Sequence, residues 1–415
     1  ALARTAQTIE ATDPATAESF LERAVKARPI AAEPLTALAR LANQQQNAER
    51  DDQLIAKASA LEPANPDVLL AAGAHWAERG QPERAVELWS AAVTADPTKR
   101  EQVFPVFLAI AEDQNSRLLL RPVAANPPEW WKGFFAEVAR RALDVECVRT
   151  LYALRQDAAN APFTLDERRA YIARLRRDGL ITEAYLVWIN GLDEDERQHL
   201  GLLHNGGFET LPTNAGFDWH LSRPKTVMIN TAATYGADGQ RSLHIVFQDT
   251  KQRFGHVTQP LFLDPGRYRF SGQVRTDSLQ ARGGVKWLLR CAPVGDKQMQ
   301  TLGESERFLG ASEWRDFSFE FLMPPGCENQ EVRLVSADYR PGEKLKGSLW
   351  FDSLRIRRLG DLPPPDEPTV TADAAAGTEP RDEQVAPTAA SDDTQPAPEA
   401  PDPDPAAVIN QKEQM

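Results

Sequence analysis

The sequence has 415 residues, 42% of them hydrophobic, and carries a net charge of -13. This length suffices for two or three domains with their own cores, and no apolar run approaches the ~20 residues that a membrane-spanning helix needs. The charge is uneven, because residues 361–415 contain 13 acidic and 2 basic residues whereas residues 201–360 contain 17 acidic and 21 basic residues. Such an acidic chain, without a basic helix or stripe, is not expected to bind nucleic acid.

The first part of the chain repeats with a period of 34 residues. Pro29, Pro63 and Pro97 are separated by this interval, and an alanine lies five residues before each of them. The clearest unit spans residues 66–99, and its signature residues are Gly73, Trp76, Gly80, Ala85, Trp89 and Ala92. Small residues allow two antiparallel helices to approach closely, while the tryptophans fill the space between successive helix pairs.

This pattern resembles the tetratricopeptide repeat, which implies an α-solenoid whose concave groove holds a peptide or another protein. The second unit departs from the pattern at Asp51, where a small residue is usual. Beyond residue 100 the period is lost, but Gly179, Ala184, Trp188 and Gly191 repeat the spacing of the clearest unit. Residues 1–200 are therefore predicted to form one α-solenoid with degenerate middle units. The alternative to a protein partner in the groove is that the repeats serve packing alone.

Residues 201–360 change to short alternating segments separated by turn signals such as Asp264-Pro265-Gly266. The candidate strands are 226–230, 242–248, 256–263, 267–276, 284–291, 314–322, 331–336 and 349–357. Short strands at this spacing, without helices between them, predict an antiparallel β-sandwich. The fold class is therefore α followed by β in separate domains.

Two motifs bracket this β region. It opens with Asn205-Gly206-Gly207-Phe208-Glu209, followed by Phe217-Asp218-Trp219, and it closes with Trp350-Phe351-Asp352. Over residues 203–359 the pattern resembles a carbohydrate-binding module of the galactose-binding-like jelly-roll superfamily. The resemblance implies a jelly roll that binds or packs against a glycan.

The resemblance also implies a structural calcium ion between the opening and closing strands, held by Glu209 and Asp352. Backbone carbonyls would have to complete the shell, because calcium takes six to eight oxygens. The family often has a second aspartate after the first, and here that position is Ser353. The alternative is that the two carboxylates only hydrogen-bond the strand ends. No other cofactor is expected.

Alternation along the strands assigns a set of polar side chains to the outer faces of the sandwich. The main members are Arg269, Gln273, Arg275, Lys286 and Arg290, and the secondary members are His244, Gln248 and Arg333. Arginine and glutamine offer several donors in fixed geometry, which suits the hydroxyl, carboxylate or sulfate groups of an acidic glycan. Whether these strands share a sheet is open, and a solvated charged face is the alternative.

Aromatic residues divide into core and surface candidates. Trp287, Trp314 and Trp350 open or occupy apolar stretches and are predicted to lie in the core. Trp219 and Tyr235 are the candidates for stacking on a sugar ring, although Trp219 could equally plug the end of the sandwich.

The three cysteines show no metal-site spacing. Cys291 and Cys327 both fall in the β region, where a disulfide is expected if the protein is exported. Two small buried thiols in a reducing compartment are the alternative.

The remaining features bear on class and location. Residues 361–415 are rich in proline, alanine and acidic residues and are predicted to be disordered.

No phosphate-binding loop, nucleophile elbow or zinc-protease motif is present, so the protein is predicted not to be an enzyme. A start at Ala1 would fit a removed export signal. We therefore expect a bacterial envelope, periplasmic or secreted scaffold, with exopolysaccharide assembly or export as a candidate setting. The alternative is a scaffold that contacts only proteins.

Overall fold

The computed structural model describes residues 13–362 except 157, 159–160, 252, 281–282, 294–297 and 339–343. The helical region and the β region pack together as one unit. From residue 363 onward, the tail that the sequence predicts to be disordered lies outside the described residues.

Helices occupy the N-terminal half of the described chain. They are α1 (Pro14–Ala27), α2 (Glu33–Gln44), α3 (Ala48–Leu61), α4 (Pro66–Glu78), α5 (Pro82–Ala95), α6 (Arg100–Glu112), α7 (Arg121–Ala125), α8 (Trp131–Arg141), α9 (Val145–Gln156), α10 (Leu165–Arg177), α11 (Ile181–Ile189) and α12 (Glu194–Gln198). Successive helices pack as neighbours, as in α2 with α3 and α4 with α5. Among the described helices, none is long and apolar enough to cross a membrane.

The pair α4 and α5 shows why the repeat needs small residues. A Cβ at Gly73 would overlap the indole of Trp89, and the Nε1 of Trp89 donates a hydrogen bond to the carbonyl oxygen of Leu70 at 3.3 Å. Ala85 and Ala92 are fully buried on α5. The side chain of Trp89 also contacts Phe107 of the following α6, so it links one pair to the next.

The later helices share one aromatic core. Trp131 begins α8 and is buried, and its ring contacts Phe134. Phe104 and Phe107 of α6 pack against the same group. The pair α10 and α11 repeats the clearest unit, with Gly179 at positive φ in the turn.

The strands are β1 (His220–Leu221), β2 (Val227–Ala233), β3 (Arg241–Thr250), β4 (Val257–Leu261), β5 (Gly266–Gln280), β6 (Val285–Pro293), β7 (Gln300–Glu304), β8 (Gly310–Met323), β9 (Cys327–Ser336) and β10 (Leu345–Gly360). Sheet I has the order β1-β4-β9-β6-β7, and sheet II has the order β2-β3-β10-β5-β8. All pairings between these strands are antiparallel. The predicted fold class, helices followed by a β-sandwich, is confirmed, with β1 and β7 as additional strands.

The sandwich core lies between the two sheets. Trp287 of sheet I is fully buried and contacts Phe270 and Phe351 of sheet II, so its predicted core position is confirmed. A disulfide joins Cys291 on β6 to Cys327 on the neighbouring β9, with Cα atoms 5.8 Å apart. The remaining cysteine, Cys147, is buried in the helical core.

The opening loop, residues 205–209, packs directly on the closing strand β10. The amide of Leu354 donates a hydrogen bond to the carbonyl oxygen of Gly206 at 2.9 Å. A Cβ at Gly206 would overlap the carbonyl oxygen of Leu354, so only glycine fits this approach. Phe208 adopts positive φ and is fully buried in the sandwich core. The close backbone contact thus explains Gly206, the first of the two glycines in the opening motif.

Aromatic side chains join the helices to the sandwich. Phe217 belongs to the helical core although it follows the opening loop in sequence, and its ring contacts Tyr185 and Trp188 of α11. Tyr185 also stacks on Phe262, which follows β4, with ring centroids 4.7 Å apart. His204 is buried at the edge of the Trp188 ring. We call this group the joint.

A substitution at Gly206 tests the contact between the opening loop and β10. We expect Gly206→Ala to lower the free energy of unfolding by about 2–3 kcal/mol, because the added methyl group forces backbone apart in a packed site. Urea unfolding followed by tryptophan fluorescence measures this. Gly133→Ala is the matched control, since no atom lies within 4 Å of its added Cβ, and we expect no loss there. Equal stability of the two variants would contradict the contact.

The joint, and the neighbouring contact of His220 with the carbonyl oxygen of Gly216, should weaken in acid. Burial lowers the pKa of His204, which faces Asp218 and His199, and of His220, which faces Arg176, Asp218 and Arg169. Their unfolded pKa is about 6.5, so these histidines stabilise the fold above that pH, and the stability is lost as the pH falls below it.

We therefore expect the Tm to fall between pH 7.5 and pH 5.5, with each histidine contributing at most about 1.4 kcal/mol per pH unit. The variant His204→Phe should lose less stability over this interval than the wild type. Calorimetry at the two pH values measures this, and identical pH dependence in both proteins would contradict the role of His204.

Candidate functional site

The strand register brings polar side chains together on the outer face of sheet II. Arg357 of β10 lies opposite Arg269 of β5, and the next row pairs Arg355 with Ser271. On the other side of β5, Gln273 lies opposite Asp316 of β8. Because residues two apart on a strand share a face, these rows form one surface across β10, β5 and β8.

This surface contains a cleft of about 420 Å³. It is lined by Asp238, Arg269, Ser271, Gly272, Gln273, Asp316, Phe317, Ser318, Ser353, Arg355 and Arg357. Phe317 is buried, so the accessible lining is mainly hydroxyl, amide, carboxylate and guanidinium groups. A cleft of this size with convergent polar groups is suited to a small polar ligand or to part of a polymer.

Two of the three arginines of β10, Arg355 and Arg357, line the cleft and lack an ion-pair partner among the described residues. Arg355 and Arg357 are exposed, and their side chains make no ion pair or hydrogen bond with any described residue. Arg269, in contrast, pairs with Glu320 at 2.6 Å. The cleft therefore presents free donors beside one neutralised arginine.

The outward-facing residues identified from the sequence do not form a single cluster. Arg269, Gln273 and Arg275 lie on β5 in sheet II, whereas Lys286 and Arg290 lie on β6 in sheet I. The two outer faces are on opposite sides of the sandwich, so the grouping of all five is wrong. Lys286 pairs with Glu304 at 2.6 Å, and Arg290 pairs with Glu331.

The secondary members also separate. Arg333 lies on β9 in sheet I and contacts Glu331, while His244 and Gln248 lie on β3 in sheet II. None of these three residues lines the cleft.

Trp350 and Arg275 pack on one another outside the sandwich core. The ring of Trp350 lies parallel to the ring of His244, with centroids 4.4 Å apart, and the guanidinium of Arg275 lies 5.0 Å from the Trp350 centroid. The core position predicted for Trp350 is wrong, because its side chain alternates with buried Leu349 and Phe351 and points outward. Both faces of its ring are covered, which leaves no face for a sugar.

Trp219, the first candidate for sugar stacking, lies inside the sandwich. It is fully buried against Phe208 and Trp287, and its Nε1 donates to the carbonyl oxygen of Asn205 at 3.0 Å. The stacking role of Trp219 is therefore wrong, and its alternative role as a core plug holds.

Tyr235, the second candidate, lies at the surface on the turn between β2 and β3. Its side chain is 96% exposed, and the same turn carries Asp238 of the cleft. Half-buried Trp314 packs beneath this turn at Gly236, so the core position predicted for Trp314 is wrong. Tyr235 thus remains a candidate for stacking on a sugar beside the cleft.

Glu209 and Asp352 both bind the turn between β2 and β3. The Oε1 of Glu209 accepts hydrogen bonds from the amides of Gln240 and Arg241 at 2.9 and 3.1 Å. The two carboxylate oxygens of Asp352 accept from the amides of Ser353 and Asp238 at 2.7 and 2.6 Å. The carboxylates thus connect the opening loop and β10 to the turn beside the cleft.

The negative charges around Asp352 suit a cation. The pKa of Asp352 is raised to about 6, mainly by burial and also by the nearby carboxylates of Asp238 and Glu209, while the two amide donors oppose the rise. Carboxylates are the ligands that calcium prefers, and a cation would offset their repulsion. The residue types suit calcium, but Glu209, Asp238 and Asp352 do not converge as a group of three ligands among the described residues, and three oxygens of Glu209 and Asp352 already accept amide hydrogen bonds. The calcium ion stays a prediction.

The residues that the sequence reasoning missed are Arg355, Arg357, Asp238 and Asp316. The sequence did indicate that Arg355 and Arg357 face outward, because they alternate on β10 with the buried residues Leu354 and Ile356. Asp238 had none, because it comes from a turn that approaches the cleft only in the folded chain.

Solved structures that are similar in fold to part of this chain include several carbohydrate-binding modules. The CBM22-1 xylan-binding domain from Paenibacillus barcinonensis is 16% identical, with a TM-score of 0.28, over 38% of this chain and 94% of that chain. A family 16 carbohydrate-binding module is 15% identical, with a TM-score of 0.28, over 38% of this chain and 100% of that chain.

The enzymatically active domain of tailspike protein 4 from bacteriophage CBA120 is also similar. It is 15% identical, with a TM-score of 0.29, over 38% of this chain and 21% of that chain. At these identities the likeness concerns the fold alone. No protein-family model matches the sequence, and no curated protein matches it.

Calcium binding at Glu209 and Asp352 can be tested by stability. We expect 1 mM calcium, compared with chelator, to raise the Tm of the full chain by a few degrees, because a ligand at about a hundred times its Kd stabilises the folded state by about 2.7 kcal/mol. Glu209→Gln should abolish the rise, and Glu313→Gln, an exposed glutamate elsewhere on the sandwich, should retain it. An unchanged wild-type Tm would leave the carboxylates with their hydrogen-bonding role only.

Proposed function

We propose that this protein is a non-enzymatic scaffold of the bacterial cell envelope or secreted space. The cleft of sheet II binds a glycan that carries acidic groups, and the helical region holds a protein partner. Assembly or export of an exopolysaccharide is the setting that combines the two activities.

The glycan part of the proposal is supported mainly by two arginine side chains of the polar cleft that have no ion-pair partner among the described residues. Arg355 and Arg357 are held two residues apart on the central strand β10, so both guanidinium groups face the same cleft. Guanidinium groups bind carboxylate or sulfate through two parallel hydrogen bonds. An anionic sugar residue is therefore a better match than a purely neutral one.

The other lining groups suit the hydroxyls of the same ligand. Gln273 offers both donors and an acceptor, and the Ser271 and Ser318 hydroxyls can donate or accept. Asp316 makes no ion pair with a described residue and can accept hydrogen bonds from sugar hydroxyls. Tyr235, on the turn that carries Asp238, offers an exposed ring for stacking. A bound calcium ion would supply structural support to this turn through Glu209 and Asp352.

The disulfide supports an exported location. Cys291 and Cys327 are bonded on adjacent strands, and such bonds persist mainly in oxidising compartments.

The second candidate is a scaffold whose jelly roll is structural and binds only proteins. The ion pairs of sheet I support this alternative, because the basic side chains of Lys286, Arg290 and Arg333 all have acidic partners there. Arginines committed to neighbouring carboxylates are poorly available to a ligand, so sheet I is a weak candidate for glycan binding.

Affinity electrophoresis of the full chain tests the glycan proposal. We expect polygalacturonate, an acidic polysaccharide, to retard the wild type more than neutral dextran does. Arg355→Gln with Arg357→Gln should weaken retardation by polygalacturonate at least about tenfold, because each charge-assisted hydrogen bond contributes about 1.5–3 kcal/mol. The matched control is Arg223→Gln with Arg253→Gln, two exposed arginines outside the cleft. Equal loss in both double variants, or no retardation of the wild type, would favour the protein-only scaffold.

A further inference from the structure

A groove of about 750 Å³ lies between α2 and α4, on the helical region. Its charged lining consists of Glu33, Arg40, Asp51, Glu62, Asp67 and Glu78, beside the buried His75 and several small apolar residues. We call this the acidic groove, because five of these side chains are carboxylates and one is an arginine.

Several of the carboxylates have no cationic partner in the part of the chain that the structure describes. Glu33 and Glu78 are exposed at the two ends of the groove helices, in the first turn of α2 and the last turn of α4. Glu62 accepts hydrogen bonds from the amide of Ala32 and from Asn65, and these bonds lower the pKa of its carboxyl group. Asp67 pairs with Lys99. The groove thus carries a negative potential that the fold compensates only in part.

The floor of the groove contains the carboxylate of Asp51, which has basic partners on one oxygen only. Asp51 is 3% exposed, and its Oδ2 contacts Nδ1 of His75 at 2.8 Å and the guanidinium of Arg79 at 3.3 Å. Its other oxygen, Oδ1, accepts no hydrogen bond from the described residues. Oδ1 is not among the buried side-chain atoms that lack a partner, so water or a donor that enters the groove can reach it. Asp51 is also the residue that departs from the repeat pattern, where a small side chain is usual.

We propose that the acidic groove binds a segment of a partner protein that is rich in lysine or arginine, with one long basic side chain reaching Asp51. This inference rests on the proposed function, since it names the chemistry of the partner that the helical region holds.

The apolar part of the lining supports a long basic side chain. Ile55 and Val68 are buried in the groove, and Ala71 and Ala74 are small and accessible. The methylene stem of a lysine or arginine can cover such a surface while its charged end contacts a carboxylate. A short or acidic side chain can do neither. The charge of the groove excludes acidic segments, because like charges repel in a partly desolvated site.

Three labelled octapeptides provide the probe, with alternating Lys-Ala, Gln-Ala and Glu-Ala sequences. Fluorescence polarisation with the full chain measures their binding at low and at physiological salt. We expect the Lys-Ala peptide to bind more tightly than the other two, and to weaken as salt increases.

Matched variants locate the binding on the chain. Glu33→Gln with Glu78→Gln removes two charges from the acidic groove and should weaken the Lys-Ala peptide about fivefold, given the usual strength of partly exposed ion pairs. Glu83→Gln with Glu87→Gln removes two charges from exposed positions on α5, which lines no part of the groove, and should change binding less than about twofold.

Each contrary result has a defined meaning. Equal weakening by both double variants would show attraction to the overall negative charge and would overturn the inference. Tighter binding of the Gln-Ala or Glu-Ala peptide, lost in the groove variant, would overturn the basic partner but keep a protein partner in the groove. Binding of none of the peptides would overturn the inference, while the glycan cleft is decided independently by the electrophoresis of the arginine variants.

Discussion

The contact between the opening loop and β10 is the constraint on which the sandwich depends. Gly206 brings the loop backbone against Leu354, and the carboxylates of Glu209 and Asp352 then bind amides of the turn between β2 and β3. β10 lies at the centre of sheet II, so its position also sets the rows of side chains across β5 and β8. Ser353 at positive φ shifts the register beside Asp352, and after this shift Arg355 and Arg357 face the cleft. One local arrangement therefore closes the fold and orients the proposed ligand-binding residues.

The joint packs the helical core and the sandwich against each other through aromatic contacts. Phe217 packs among the helices, while Tyr185 of α11 packs on Phe262 beside β4 of sheet I. Aromatic contacts of this kind bury much apolar area, and movement of one part against the other would expose it. The helices contact the sandwich beside sheet I, whereas the cleft lies on the outer face of sheet II. A glycan and a protein partner could then be held at the same time without competing for one surface.

Ion pairing decides which charged side chains are available for binding. On sheet I and at Arg269, cross-strand carboxylates neutralise the basic groups, and such pairs add little stability. Their main consequence is that the paired basic side chains are less available to bind a ligand. Arg355 and Arg357 in the cleft, and Glu33 and Glu78 in the acidic groove, lack such partners among the described residues. The two proposed sites thus have opposite charge and should attract different molecules.

The sequence by itself determined the fold class, the helix pairs, eight of the strands and the buried position of Trp287, because these follow from local periodicity and turn chemistry. It also indicated which residues of β5 and β6 face outward, since alternation depends only on the strand. Only the tertiary structure decided that β5 and β6 belong to different sheets, which separated Arg269 from Arg290. It placed Trp219 in the core and Trp350 outside it, and it brought Asp238 to the cleft. Sheet membership and approach of distant turns depend on long-range pairing, for which neighbouring residues carry no signal.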